Sequence, residues 1–272
     1  MKKREFSLSE IEMSLFLITE ILSLMSSELF LSFLGGGYGV SGSSLALYAI
    51  LGLSSLVSML VGKRLQSKFA QYSQVPIDLS GREIAERMLA ENGITDVKVI
   101  STPGRLTDHY NPADKTVNLS EVVYNERNVS AAAVSAHECG HAIQHAKSYA
   151  FLTMRSKLVP VVNLASKLMG VIGMISIFGA FFFNNPLFIW AVVLALGATT
   201  LFAFVTLPVE FDASKRALAW IDASGQTSSI GQEHAKSALF WAAMTYVVAA
   251  LASLAQLLYY VFRLSRMLGR RN

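Results

Sequence analysis

Long apolar runs dominate the pattern of hydrophobic and polar positions along this chain. Five of them are long enough to consider as membrane spans, since about 20 apolar residues cross a bilayer as a helix. They cover residues 13–34, 43–62, 158–183, 186–209 and 237–262. The first run follows a basic start, MKKR, but two glutamates interrupt it and no small-residue cleavage site follows, so we interpret it as a retained helix rather than a cleaved signal. The pattern predicts a mainly α-helical, multi-pass integral membrane protein.

The charge of the connecting segments predicts the orientation of these runs. The loops GGGYGVSG and NNP carry no charge, whereas MKKR and the segments around Lys63 and Lys215 are basic. Basic segments favour the cytoplasmic side of a membrane. We therefore expect two transmembrane hairpins, 13–62 and 158–209, whose ends lie in the cytoplasm.

The run 237–262 does not fit this orientation. If it crossed the bilayer, the arginines from Arg263 onward would lie outside, against the distribution of basic residues elsewhere. It is rich in alanine and contains Thr245 and Gln256, which suits a helix packed against protein. We favour a buried or in-plane helix and a cytoplasmic C-terminus, with a crossing helix as the alternative.

Shorter elements fill the segment between the two hairpins. A helix pattern with Ser80 as N-cap covers 79–93, and a second helix, capped by Ser130, ends near Tyr149. Two short strands, 95–102 and 115–121, flank the turn-forming segment 103–114. These elements predict a small α/β unit on the cytoplasmic side. The chain then divides into 1–62, 63–157, 158–209 and 210–272.

Composition supports a membrane protein and excludes other classes. Only 15% of the residues are charged, whereas a soluble domain carries about 25%. The net charge of +4 comes from basic residues at the ends of apolar runs, so it indicates a lipid bilayer as partner and no nucleic acid. The single cysteine, Cys139, excludes an intramolecular disulfide.

Candidate chemistry lies in the stretch SAHECGHAIQHAKSY. His137 and His141 stand one helical turn apart, so both can reach one tetrahedral Zn²⁺, and Glu138 can hold the water on the metal. Only roughly one chain in a hundred of this length would contain H-E-x-x-H by chance. His145 lies about 12 Å from His137 along a straight helix axis. It is therefore predicted to support the site or to lie at the surface rather than to bind the metal.

Glu210 is the best candidate for the third metal ligand. A carboxylate at the foot of an apolar helix is costly unless it is paired or bound to a metal. The hairpin 158–209 also leaves the membrane face just after the zinc helix and returns there just before Glu210. The alternative is a helix cap, or an ion pair with Lys215 or Arg216. Three protein ligands would hold one Zn²⁺ per chain and leave one position for water.

Several motifs resemble those of the YugP-type membrane zinc metallopeptidases. They are LTDHYNP, NLSE, AHECGHAIQHAKSY, TLPVEFDASKRAL and AAMTYVVAA, in the same order, and they fall within about 68–260, whereas 1–50 looks like an extension. The family is more distantly related to HtpX-like and CAAX-processing proteases. The resemblance implies a zincin-like cytoplasmic unit and a zinc metalloendopeptidase of the gluzincin type in the plasma (inner) membrane. It also implies His137, His141 and Glu210 as ligands.

The resemblance further implies roles around these ligands. Glu138 would be the general base, which takes a proton from the attacking water and passes it to the leaving nitrogen. In the wider superfamily an aspartate four residues after the ligand glutamate supports a ligand histidine. Here that position is Ser214, so the supporting residue is open among Ser214, Asp212 and His145.

The sequence also does not decide which hydrogen-bond donor would stabilise the substrate's carbonyl oxygen. Candidates are His109, Arg216, Tyr246 and, with less support, His234. His109 lies beside the strand KTVNLSE, which could pair with an extended substrate. An ordinary turn histidine is an equally good interpretation of His109.

Two other function classes remain as alternatives. The first is a zinc-binding membrane scaffold or adaptor without peptidase activity, and the intact H-E-x-x-H argues against it. The second is a metal transporter, which would place ligands inside its spans, but 43–62 and 186–209 contain no His, Asp, Glu or Cys. The expected substrate is a peptide or a membrane protein. The sequence specifies neither the cleavage specificity nor the oligomeric state.

Overall fold

The computed structural model describes residues 42–177, 185–225 and 227–269. The predicted run 13–34 and nearly all of the loop after it lie outside the described residues. The described elements, in chain order, are α1 (Gly42–Tyr72), α2 (Gly81–Glu91), β1 (Lys98–Thr102), β2 (His109–Asn111), β3 (Thr116–Ser120), α3 (Glu121–Asn125), α4 (Val129–Ala146), α5 (Ala150–Ile177), α6 (Pro186–Ser224) and α7 (Ser229–Gly269).

Four of these helices, α1, α5, α6 and α7, are long and apolar enough to cross a membrane. The predicted combination of a mainly helical membrane protein with a small mixed sheet is thereby confirmed. The chain forms two compact units. The first unit holds the described residues within Leu60–Met154 and Thr206–Tyr246, and the second holds those within Met13–Met59, Arg155–Val205 and Val247–Asn272.

The helix predicted at 79–93 is α2, and Ser80 caps its N-terminus as predicted. The Ser80 side chain accepts a hydrogen bond from the Glu83 backbone N–H, and the Glu83 carboxylate accepts one from the Ser80 N–H at 2.7 Å. This reciprocal arrangement satisfies two backbone donors that a helix start leaves free. The apolar positions expected to face inward are buried in the core of the first unit. They are Ile84, Ala85, Met88 and Leu89.

The sheet of the first unit has the order β1-β3-β2, with β1 parallel and β2 antiparallel to β3. The sequence predicts β1 and β3 but treats 103–114 as turn only, because β2 is three residues long and gives no alternating pattern. The strand KTVNLSE is β3, which has a neighbour on both sides. The hypothesis that this strand pairs with substrate is therefore wrong, and β2 is the edge strand on that side among the residues that the structure describes.

Helix α4 carries the H-E-x-x-H motif, and its N-cap lies two residues before the predicted one. Its N-cap is Asn128, whose side chain accepts from the Ala131 N–H at 2.9 Å. Ser130 instead lies inside the helix and donates to the Phe69 carbonyl at 3.0 Å. The small side chains of α4 let it pack in the middle of the core, where nearly all of its residues are buried.

In the second unit, one apolar cluster joins the beginnings of α1 and α6 to the ends of α5 and α7. Tyr260 and Leu264 of α7 belong to this cluster together with Leu47 and Ile189. The end of α7 therefore lies at the same end of the unit as the beginnings of α1 and α6. Several large apolar side chains along this part of α7 are exposed, for example Leu258 at 58%. The helix is therefore less covered by protein than the buried helix that the sequence favours, and whether it crosses the bilayer or lies in its plane stays a prediction.

Candidate metal centre

Helices α4 and α6 approach closely at Gly140, and this contact positions the site. A Cβ atom added to Gly140 would lie 2.6 Å from the carbonyl oxygen of Ala213. Only glycine permits that approach without moving one of the helices. Glu210 lies about one turn before Ala213 on α6, so the contact places its carboxylate beside the two histidines of α4.

Three side chains converge on one point between these helices. The Nε2 atom of His137 lies 3.2 Å, and that of His141 3.7 Å, from Oε2 of Glu210. All three candidate ligand atoms lie within 4.8 Å of one another. Two atoms bound about 2.1 Å from a tetrahedral ion would be about 3.4 Å apart. The two nitrogen–oxygen separations lie on either side of this value and are compatible with one tetrahedral metal ion after a small adjustment of the side chains.

Burial makes this arrangement costly without a cation. Glu210 is 1% exposed and His141 2% exposed. Within the described part of the chain, His141 Nε2 has no hydrogen-bond partner, and such buried polar atoms are destabilising. A cation would bind the lone pair of His141 Nε2 and the Glu210 carboxylate together. Two imidazoles and one carboxylate are a ligand set typical of catalytic Zn²⁺.

Glu138 is held at the edge of this cluster with its carboxyl group removed from water. Burial raises the pKa of Glu138 to about 7, the nearby charges of Asp108 and Glu210 add to the rise, and His137 opposes it. The backbone N–H of Tyr110, on β2, is directed at this carboxylate and also opposes the rise. A carboxyl group with such a pKa can both accept and return a proton near neutral pH.

Two different residues support the two histidines. The Ser214 hydroxyl lies 3.2 Å from Nδ1 of His137, so the position occupied by aspartate in the wider superfamily still contacts a ligand histidine. Gln144 Oε1 lies 3.0 Å from Nδ1 of His141, and the Gln144 amide nitrogen donates to Asp212 at 2.8 Å. Asp212 also accepts a hydrogen bond from Arg216 at 2.6 Å. Gln144 is not among the site residues predicted from the sequence, although its position three residues after His141 puts it on the same helix face.

His145 lies away from the three ligand atoms. Its Nδ1 atom is 2.7 Å from the Tyr110 hydroxyl, which ties the end of α4 to β2. Burial raises the pKa of Tyr110 to about 12, so the phenol remains a neutral partner in this bond. The supporting role predicted for His145 would therefore act through β2, the strand next to Glu138.

The candidate donors for a substrate carbonyl fall in different surroundings. His109 Nδ1 is 2.8 Å from the Thr107 carbonyl oxygen, and successive strand residues alternate faces, so His109 points away from the α4 side that Tyr110 occupies. Arg216 pairs with Asp212 at 2.6 Å. The His234 ring stacks on that of Tyr72 at 4.4 Å. Tyr246 is half-buried on α7, and its role stays a prediction.

Comparison with known proteins agrees with this geometry. Residues 47–265 match the family model described as "Putative neutral zinc metallopeptidase". The chain belongs to this family. It is also 41% identical over 215 residues to the "Putative membrane protease YugP" of Bacillus subtilis (strain 168), which covers 78% of this chain and 92% of that relative. No solved structure matches the chain.

Membership of the neutral zinc metallopeptidase family confirms the resemblance that the motifs indicate. Together with the four apolar helices, it supports a membrane-bound zinc protease that acts on peptide substrates. The matched range starts at residue 47, which agrees with the interpretation of roughly the first 50 residues as an extension.

Proposed function

We propose that this protein is a membrane zinc metalloendopeptidase of the gluzincin type, with one Zn²⁺ per chain held by His137, His141 and Glu210. The observation that carries the proposal is the convergence of these three ligand atoms within 4.8 Å, beside the buried Glu138. A bound Zn²⁺ would polarise the scissile carbonyl and lower the pKa of an attacking water.

Glu138 supplies the proton transfers of this mechanism. Its carboxylate accepts the proton that the water loses as it attacks the carbonyl carbon. It then returns that proton to the nitrogen of the leaving amine, so that the C–N bond breaks without expelling an amide anion. Burial suits Glu138 to both steps, because it holds the carboxyl pKa near neutrality rather than near its ordinary value.

Strand β2 is the surface we propose for the substrate backbone. It is the edge strand next to Glu138, and it is held to β3 over His109–Asn111. An extended peptide can add to such an edge by main-chain hydrogen bonds, with little dependence on side chains. This favours cleavage within chains over removal of terminal residues.

We further propose that α7 crosses the bilayer. Its end packs beside the beginnings of α1 and α6, and the uncharged segments before those helices are expected outside the cytoplasm. The active site would face the cytoplasm of a plasma-membrane protein, and the C-terminus would lie outside. The arginines after Tyr260 would then be an exception to the charge rule.

Glu138→Gln tests the peptidase and separates it from a zinc-binding scaffold. The amide has nearly the same size and leaves the three ligands in place, so zinc content should stay near one equivalent. Cleavage of casein and of a peptide library by detergent-purified protein should fall about 10²–10⁴-fold, the range for loss of a general acid–base group. Glu86→Gln is the matched control, because Glu86 is exposed and pairs only with Arg82 in the described hydrogen bonds.

Two outcomes would overturn this proposal. Full activity of Glu138→Gln would exclude the hydrolytic mechanism. Zinc binding by wild type without any cleavage would favour the scaffold or adaptor.

A further inference from the structure

We propose that Gln144 is a positioning residue that fixes the ring of His141 for metal binding and joins it to the segment of α6 that carries Glu210. The inference rests on the proposed zinc site and adds a residue that neither the H-E-x-x-H motif nor the third-ligand helix assigns. Gln144 is 0% exposed. A fully buried amide must have its donors and acceptor satisfied by protein groups, since leaving one unpaired is costly.

The amide orientation of Gln144 follows from its partners on α6. Its Nε2 atom lies 2.8 Å from the Val209 carbonyl oxygen and 2.8 Å from Asp212 Oδ2. A backbone carbonyl can only accept, and the Asp212 carboxylate is an acceptor because Arg216 pairs with it at 2.6 Å. Both acceptors therefore require the NH₂ group of the Gln144 amide as their donor. The carbonyl end is then turned to His141.

This orientation selects one tautomer of His141. The Gln144 Oε1 atom, 3.0 Å from Nδ1 of His141, can only accept, so Nδ1 must carry the proton. The lone pair is then left on Nε2, the atom that faces Glu210 at 3.7 Å. A metal binds an imidazole nitrogen only through such a lone pair, and outer hydrogen bonds of this kind orient the ring and raise its basicity.

Gln144 also connects the two ligand-bearing helices. Val209 directly precedes Glu210, and Asp212 follows it by two residues, so both α6 partners of Gln144 flank the ligand. One side chain thus holds the His141 ring and the Glu210 segment in a fixed relation. Asp212 pairs with Arg216 and accepts from Gln144, which in turn contacts His141. We therefore expect the effect of Asp212 on the His141 ring to pass through Gln144.

A double-mutant cycle on zinc affinity tests this coupling. The dissociation constant for Zn²⁺ is measured by competition with a chelator for wild type, Gln144→Met, Asp212→Ala and the double variant. Methionine has similar length but no hydrogen-bonding amide, so the constant should rise about 10–100-fold. Asp212→Ala should raise it several-fold in the wild-type background and hardly at all in the Gln144→Met background, because the connecting residue is then absent.

Two further measurements separate positioning from general stability. Cys139→Ala truncates another fully buried side chain of α4 and serves as the matched control. It should lower the thermal midpoint but leave the zinc constant within about twofold. The visible absorption spectrum of the Co²⁺-substituted protein reports ligand geometry, and it should change in Gln144→Met and Asp212→Ala but not in Cys139→Ala. Asp212 has a side chain 24% exposed, so Asp212→Ala gives a folded test even if Gln144→Met does not fold.

The inference and the proposed function fail differently. If wild type binds no zinc, the proposed metal site itself is wrong. If wild type binds zinc and Gln144→Met retains its affinity and cobalt spectrum, the positioning role is wrong. Equal effects of Asp212→Ala in both backgrounds would show that Asp212 acts independently of Gln144.

Discussion

Replacing Gly140 with alanine tests whether the close approach of α4 and α6 sets the metal site. The new methyl group would lie 2.6 Å from the Ala213 carbonyl oxygen and 3.0 Å from its Cα, whereas ordinary contact begins at 3.4 Å. Relieving the first contact moves α6 by about 0.8 Å, the difference between 3.4 and 2.6 Å. Ligand distances in metal sites vary by only about 0.2 Å. Glu210 would therefore be displaced beyond what the site tolerates.

The size of the effect follows from the cost of overpacking, which is about 1–3 kcal/mol. Relief of the clash moves α6 away from α4, whereas zinc binding needs α6 close to α4. A coupling free energy of about 1–3 kcal/mol between the two raises the zinc dissociation constant roughly 5–150-fold. Alanine is a better helix former than glycine by about 1 kcal/mol, so we do not expect general destabilisation of α4 to cause the loss of zinc affinity.

Chelator competition measures this constant, and a helical glycine without neighbours provides the control. Gly197, on α6, has nothing within 4 Å of an added Cβ, so Gly197→Ala should bind zinc as wild type does. The structural reasoning would be refuted if Gly140→Ala also kept the wild-type constant, since α6 would then not need to approach α4 so closely.

Three further predictions concern the ligand set, the membrane orientation and the cap of α2. Zinc analysis should find near one equivalent in His145→Ala and little in Glu210→Ala, because two imidazoles alone bind weakly; the reverse result would mean that α4 bends after the motif. An impermeant thiol reagent added to cells should label a cysteine in place of Gly269 but not one in place of Lys98, and protection of both would return α7 to the cytoplasmic side. Hydrogen bonds from Ser80 lower the pKa of Glu83 to about 2. The contribution of Glu83 to folding stability is therefore present above pH about 4.5 and is lost as pH falls towards 2. The difference in thermal midpoint between wild type and Glu83→Gln should shrink from about pH 6 to about pH 3, and a constant difference would contradict this assignment.

Local patterns in the sequence predict much of the first unit. Ser80 and the apolar positions of α2 follow from capping chemistry and helical periodicity, which depend on residues close together in the chain. The pairing of Glu210 with the H-E-x-x-H helix was also predictable, because a charge next to an apolar helix needs a partner and the intervening hairpin returns the chain to its starting face.

The parts that the sequence did not predict depend on contacts between distant residues. Strand β2 is too short to show alternation, and it exists because β3 offers it a partner. Gln144 looks like any polar residue on a helix until α6 brings Val209 and Asp212 to it, 65 and 68 residues away in the chain. The orientation proposed for α7 is argued from packing in the second unit rather than from its own composition.

X-ray absorption at the zinc edge of the purified protein observes the proposed ligand set itself. We expect two imidazole nitrogens at about 2.0–2.1 Å and carboxylate or water oxygens at about 2.0–2.2 Å. In Glu138→Gln these shells should stay the same, whereas Glu210→Ala should lose the bound metal. A sulfur ligand at about 2.3 Å, which only Cys139 or a methionine could supply, or a third imidazole shell, would contradict a site made by His137, His141 and Glu210.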